Sequence, residues 1–121
     1  MNKRVLVIED HEENRRILRY LLGSAGIEML EAVTGEAGVV AAEQERPDLI
    51  LMDIQLPGLD GYEATRRIKA NPELRHIPII VVTSYALSGD DVKAFEAGCD
   101  AYVTKPFVPR ELLAKVREFL G

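Results

Sequence analysis

The run Leu49-Ile50-Leu51-Met52, closed by Asp53, constrains this chain more than any other stretch. It is short and wholly apolar, with no alternation of polar and apolar positions. That is the pattern of a strand buried on both faces at the centre of a parallel sheet. The strand delivers a lone carboxylate, Asp53, where it ends, and Pro57-Gly58 turns the chain away. A carboxylate in such a place is costly unless something compensates it.

The rest of the chain alternates strand and helix. Arg4 to Ile8 reads as a first buried strand that ends at Glu9-Asp10. From Glu12 to Ala25, the positions Asn14, Ile17, Leu18, Leu21, Leu22 and Ala25 recur at helical spacing, all apolar but the first, and Gly26 closes the helix. Ile27 to Ala32 is shorter and more polar, as expected of a sheet edge. Thr34 is placed to cap a helix through about Glu45, which Gly38 weakens by roughly 1 kcal/mol. Asp60-Gly61-Tyr62-Glu63 has the spacing of an acidic capping box for a helix to about Ala70, which Asn71-Pro72 breaks. Pro78 to Thr83 is a fourth strand rich in β-branched residues. The helix from about Ala86 to Ala97 contains Ser88-Gly89-Asp90-Asp91 and is expected to be short and comparatively mobile. Gly98 caps it. Asp100 to Thr104 is a fifth strand, followed by Lys105-Pro106. Pro109 then opens a last helix with Leu112, Leu113, Val116, Phe119 and Leu120 on its buried face.

Strand-helix repeated five times, with short loops, predicts an α/β fold: a doubly wound, five-stranded parallel sheet with right-handed crossovers and helices on both faces. The 121 residues suit one domain, residues 1–121, with a real core. With 15 basic and 20 acidic residues, a net charge of −5 and no basic tract, the chain argues against nucleic acid as a direct ligand. Its apolar runs are strand-sized, which excludes a membrane span, and the first residues show no signal-peptide pattern. Cys99 is the single cysteine, so an internal disulfide is impossible, a cytoplasmic location fits, and the thiol reads as a packing residue.

Open α/β sheets bind ligands at the carboxyl ends of their strands. There this chain places Glu9 and Asp10 after strand one, Asp53 after strand three, Thr83 at the end of strand four and Lys105 after strand five. Carboxylates ~5 Å apart repel by about 3 kcal/mol per pair at an effective dielectric near 20. Such a cluster holds extra protons or a cation, and oxygen ligands favour Mg²⁺ or a similar ion. With Lys105 and Thr83 alongside, Asp53 is equipped to act as a nucleophile that becomes an aspartyl phosphate. Each residue alone has a plainer reading. Thr83 could bond backbone, Lys105 could be solvated, Glu9-Asp10 could cap the first helix, and Tyr102 could be core. Their coincidence at four of five strand ends is what carries the reading.

Taken together, Glu9-Asp10, Met52-Asp53 with Pro57-Gly58, Thr83 and Lys105-Pro106-Phe107 resemble the receiver domains of two-component response regulators, over essentially the full length. The run from Met52 to Glu63 looks most like receivers of the DivK type and of hybrid histidine kinases. The resemblance implies a flavodoxin-like (βα)5 fold with strand order 2-1-3-4-5. It implies that Asp53 accepts a phosphoryl group from a phosphohistidine on a sensor histidine kinase or phosphotransfer protein. Asp10, Asp53 and the backbone carbonyl of Gln55 would ligate Mg²⁺, with Glu9 acting through water. The backbone amides of Ile54 and Ser84, with Thr83 and Lys105, would bind the phosphoryl oxygens. Thr83 and Tyr102 would be the switch pair, and Lys105-Pro106 a cis peptide. The departures are Ser84, often Ala or Gly in the family, and His11, where Asn or a similar residue is common. Tyr85 is expected to slow hydrolysis.

Two other classes fit less well. A haloacid-dehalogenase type phosphatase would need a second acid where Gln55 stands, and a nucleotide- or flavin-binding domain would need glycines where Glu9-Asp10-His11-Glu12-Glu13 stand. A non-phosphorylatable interaction domain is the third alternative. No effector domain follows in this sequence, so output to a downstream protein partner is expected through the fourth helix, fifth strand and last helix. The expected state is a monomer, with dimerisation on activation left open. The chain is expected to be a signalling switch rather than an enzyme, with at most self-phosphorylation and self-dephosphorylation.

Overall fold

A computed structural model describes residues 2–83 and 90–121. The expected strands are β1 (Arg4–Ile8), β2 (Glu28–Ala32), β3 (Leu49–Met52), β4 (Ile79–Thr83) and β5 (Ala101–Thr104). They alternate with α1 (Glu12–Ser24), α2 (Gly35–Glu45), α3 (Gly61–Ala70), α4 (Asp90–Ala97) and α5 (Pro109–Leu120). All strands pair in parallel in the order β2-β1-β3-β4-β5, the doubly wound, flavodoxin-like arrangement. Ser84, Tyr85 and the expected opening of the fourth helix lie outside the described residues.

Strand alternation sends successive side chains to opposite layers. Leu6, Ile8, Ile50, Met52, Ile79 and Val81 pack with α2, α3 and α4, while Val5, Val7, Leu49, Leu51, Ile80 and Val82 pack with α1 and α5. All four residues of β3 are buried, which is why its sequence shows no alternation. β2 lies at an edge, with Glu28 and Glu31 exposed; Arg15 and Arg19 of α1 both bond the Glu31 carboxylate.

The caps follow the sequence. Thr34 Oγ1 accepts from the Ala37 amide at 3.0 Å and Asp60 Oδ1 from the Glu63 amide at 2.9 Å. Glu63 sends its carboxylate to Arg66 and Arg67. Two expectations need correction, and two core residues were not foreseen. β5 begins at Ala101, because the Asp100 carboxylate takes the Ile79 amide (2.8 Å) and the Lys69 ammonium (2.9 Å) instead of continuing as strand. Ile17 is half exposed, since it lines the open cleft with Lys105, Pro106 and Phe107. Leu74 and Ile77, in the polar-looking turn before β4, are core residues.

Gly38 is more than a weak point of α2. A Cβ there would lie 2.4 Å from Ile8 Cδ1, so glycine lets the helix rest on β1. Gly61 does the same for the loop after β3. Its amide donates to the Ile54 carbonyl at 2.9 Å, and an added Cβ would meet the Asp53 carbonyl oxygen at 2.1 Å. Gly61→Ala is therefore expected to lower stability by about 1–3 kcal/mol in urea denaturation. Gly23→Ala in α1, where nothing lies within 4 Å of the new Cβ, is expected to be neutral or to raise stability by up to ~1 kcal/mol. Equal effects at the two positions would contradict the close approach at Gly61.

Candidate functional site

The β1–β3 register builds the site. Ile8 pairs with Met52, and the Asp53 amide donates to the Ile8 carbonyl at 3.0 Å, so Glu9 and Asp53 leave the sheet side by side. Lys105 arrives from β5, anchored where its amide donates to the Thr83 carbonyl at 2.7 Å. Its ammonium stands 2.5 Å from Glu9 Oε1 and 3.7 Å from Asp53 Oδ2. The Lys105–Pro106 peptide is cis. Glu9 and Asp53 are 3% and 6% exposed, so this is a buried three-charge group at the sheet edge.

Glu9 takes most of the compensation. Oε1 accepts from Lys105 and Asn14, Oε2 faces the His11 amide at 3.1 Å and the His11 ring at 3.3 Å, and Arg15 donates to the Glu9 backbone carbonyl at 2.9 Å. Burial pushes the Glu9 carboxyl up. The Lys105 and His11 hydrogen bonds and the Lys105 charge outweigh it and bring it from 4.5 down to about 2. Asp53 is left the poorer of the two. Burial raises its carboxyl from 3.8 to about 6, opposed by the Lys105 charge and assisted by Glu9. The Gln55 amide, 3.4 Å from Oδ1, is a weak donor to it.

Among the expected site residues, the structure brings Glu9, Asp10, Asp53 and Lys105 together, with Ile54 buried directly after Asp53 and Gln55 exposed in the adjoining cleft. Thr83 is fully buried at the end of β4. Its face of the sheet is that of Val81, which pairs with Tyr102, so Thr83 and Tyr102 both point toward the α2–α4 layer. Ser84 is outside the described residues. The cleft, about 450 Å³, is lined by Asp53, Gln55 and Lys105 together with Asn14, Ile17 and Phe107. Sequence reasoning missed Asn14 and Arg15 as supports of Glu9. The signal for Asn14 was its polarity within an otherwise apolar helical stripe. α1 takes His11 as its N-cap, without a side-chain cap bond of its own, and Glu9 accepts the His11 amide while also meeting Lys105 and Asn14. Cys99 is buried and burial pushes its thiol up to about 11, in keeping with a packing residue.

The donor set suits a cation. Ligand atoms of Glu9, Asp10, His11 and Asp53 lie within 4.8 Å of one another, and Asp10 Oδ1 is buried without a hydrogen bond from the described residues. A compact group of carboxylates with one open oxygen fits a small divalent ion.

A parallel sheet of this order, with paired acids, a strand-end aspartate and a lysine converging at one edge, defines the receiver class. Residues 5–117 match the response regulator receiver domain family, and the chain belongs to it. It is 40% identical over 121 residues to the polar-differentiation response regulator DivK of Brucella anthropi, covering all of this chain and 98% of that protein. A response regulator from Chloroflexus aurantiacus superposes with a TM-score of 0.94 at 31% identity, covering 99% of this chain and 98% of that one. The receiver domain of the sensor histidine kinase PA1611 from Pseudomonas aeruginosa, solved with a magnesium ion coordinated in its active site cleft, superposes with a TM-score of 0.93 at 38% identity. It covers 100% of this chain and 99% of its own. Among the described residues, no helix is long and apolar enough to cross a membrane.

The raised Asp53 carboxyl has a sign. Between 3.8 and about 6 the folded chain holds a proton that the unfolded chain releases, so this group lowers stability as pH rises through that window. Glu9 acts oppositely: its stabilisation is present above 4.5 and is lost as pH falls toward about 2. In chelator-treated protein, Asp53→Asn is expected to raise stability at neutral pH by about 1–3 kcal/mol. The gain should vanish in acid below the unfolded carboxyl value. Urea denaturation at both pH values measures it, and a loss of stability at neutral pH would contradict the assignment.

Proposed function

We propose that residues 1–121 form a phosphoacceptor switch of a two-component or phosphorelay pathway, with Asp53 as the residue that is phosphorylated. The observation that carries this is Asp53 itself: nearly buried, held at the edge of an open cleft, poorly hydrogen-bonded, and within 3.7 Å of the Lys105 ammonium. An Asp53 carboxylate oxygen attacks phosphorus as the bond from phosphorus to the donor histidine nitrogen breaks and its electron pair returns to the imidazole. Lys105 and Thr83 hold phosphoryl oxygens, joined by the backbone amides of Ile54 and Ser84. Asp10, Asp53 and the Gln55 carbonyl would hold Mg²⁺, with Glu9 acting through water, and the ion would supply positive charge to offset that of the phosphoryl oxygens. Glu9 suits an indirect role because its oxygens are already occupied by donors.

Thr83 and Tyr102 form the switch: the Thr83 hydroxyl moves toward the phosphoryl group, and Tyr102 changes rotamer on the same sheet face. The consequence is a shift of a pre-existing equilibrium at α4, β5 and α5, with coupling typically ~1–3 kcal/mol. The partners are a sensor histidine kinase or phosphotransfer protein upstream and a protein target downstream, met in the cytoplasm, with no nucleic acid or membrane in direct contact. The domain works as a monomer unless activation brings two copies together. It turns over no substrate beyond its own phosphorylation and dephosphorylation.

Intact-mass measurement with a small phosphodonor tests this. A single phosphoryl adduct is expected on the native chain with Mg²⁺, none after chelation, and none on Asp53→Asn. An adduct that survives in Asp53→Asn would refute the assignment of Asp53. No adduct on the folded native chain, with either a small donor or a phosphotransfer protein, would favour an interaction domain that keeps the site without using it.

A further inference from the structure

His11 stands where the acidic rim opens to solvent, and its imidazole faces the carboxylates. Nδ1 lies 3.3 Å from Glu9 Oε2 and 3.2 Å from Asp10 Oδ1, inside the same 4.8 Å group as the Asp53 carboxylate. α1 makes no use of the ring, because His11 is an N-cap in extended conformation (φ −88°, ψ 122°) without a side-chain cap bond. Two thirds of the side chain is exposed, so the ring is not held by packing. The oxygens around it differ in kind. Glu9 is filled by Lys105, Asn14 and the His11 amide, whereas Asp10 Oδ1 is buried and accepts no hydrogen bond from the described residues. The ring nitrogen and that oxygen are neighbours within the one group that could hold an ion.

We infer that His11 Nδ1 is a further ligand of the cation site, giving with Asp10 and Asp53 a mixed nitrogen–oxygen set that takes a first-row transition ion in preference to Mg²⁺. The inference rests on the reading of Asp10 and Asp53 as cation ligands made above. Sets built of carboxylate, carbonyl and water suit Mg²⁺, while imidazole suits the later first-row ions, whose affinity for mixed sites rises along the series. Nitrogen in place of one water changes which ion wins without changing where it sits. The competing arrangement is an imidazolium paired with Glu9 and Asp10. It makes the opposite prediction, because a positive ring repels every cation and its removal would tighten binding of all of them.

Calorimetric titration of the metal-free full chain with MgCl₂ and CoCl₂ at neutral pH separates the two. The visible absorption of the Co²⁺ complex is a second readout. The native chain is expected to bind Co²⁺ at least about tenfold more tightly than Mg²⁺. His11→Ala should weaken Co²⁺ by about tenfold, leave Mg²⁺ within roughly twofold, and alter the Co²⁺ absorption bands. Asp10→Asn should lose both ions. An unchanged Co²⁺ affinity and spectrum in His11→Ala, or tighter binding of both ions, would overturn the role of His11 while Asp10→Asn still lost both. Retention of both ions in Asp10→Asn would overturn the underlying cation site, and this inference with it.

Discussion

Two carboxylates sharing one ammonium is the constraint on which this structure depends. The parallel register of β1 and β3 forces Glu9 and Asp53 out of the sheet together, and of the two it is Asp53 whose ionised form is disfavoured. Lys105 relieves both unequally, 2.5 Å from one and 3.7 Å from the other. The inequality divides the work. Glu9 is built into the frame, gripped by Asn14, the His11 amide and Lys105. Asp53 keeps a weakly bonded carboxylate facing the cleft, a group whose charge is only partly compensated.

The scaffold around this pair keeps the strain local. Gly61 lets the start of α3 press against the Asp53 carbonyl, and Gly38 lets α2 lie directly on Ile8, the residue before Glu9. The backbone carrying each acid is thus held from behind by a helix that could not approach if it bore a side chain there. On the other layer, Arg15 of α1 holds the Glu9 carbonyl. The acids cannot relax apart without moving a packed helix, so burial, with the Glu9 charge adding to it, appears as proton affinity at Asp53.

The strands other than β2 were legible because each is an apolar run ended by a charged or hydroxyl residue, and the topology rule then collects those ends on one edge. Glu9, Asp53 and Lys105 meet there as that rule requires. What could not be read was depth and direction. Nothing local distinguishes Gly38 as a contact with Ile8 from Gly38 as a flaw in a helix. Leu74 and Ile77 sit in a segment whose Asn, Pro, Glu, Arg and His neighbours read as surface. Ile17 counts as core by its period, but periodicity does not tell where the helix borders an open cleft. The unequal sharing of Lys105 was likewise invisible, because it depends on ångström differences set by tertiary packing.

β2 carries a consequence for how copies of this domain meet. An edge strand is a template for a further strand, and this one is short, with Glu28 and Glu31 exposed and Glu31 clasped by two arginines of α1. An incoming strand would have to open those ion pairs and bring its own backbone against fixed carboxylates. The sheet is thereby closed to extension on that side. Charge and fixed side chains, rather than a covering helix, guard this edge against strand pairing by a second copy.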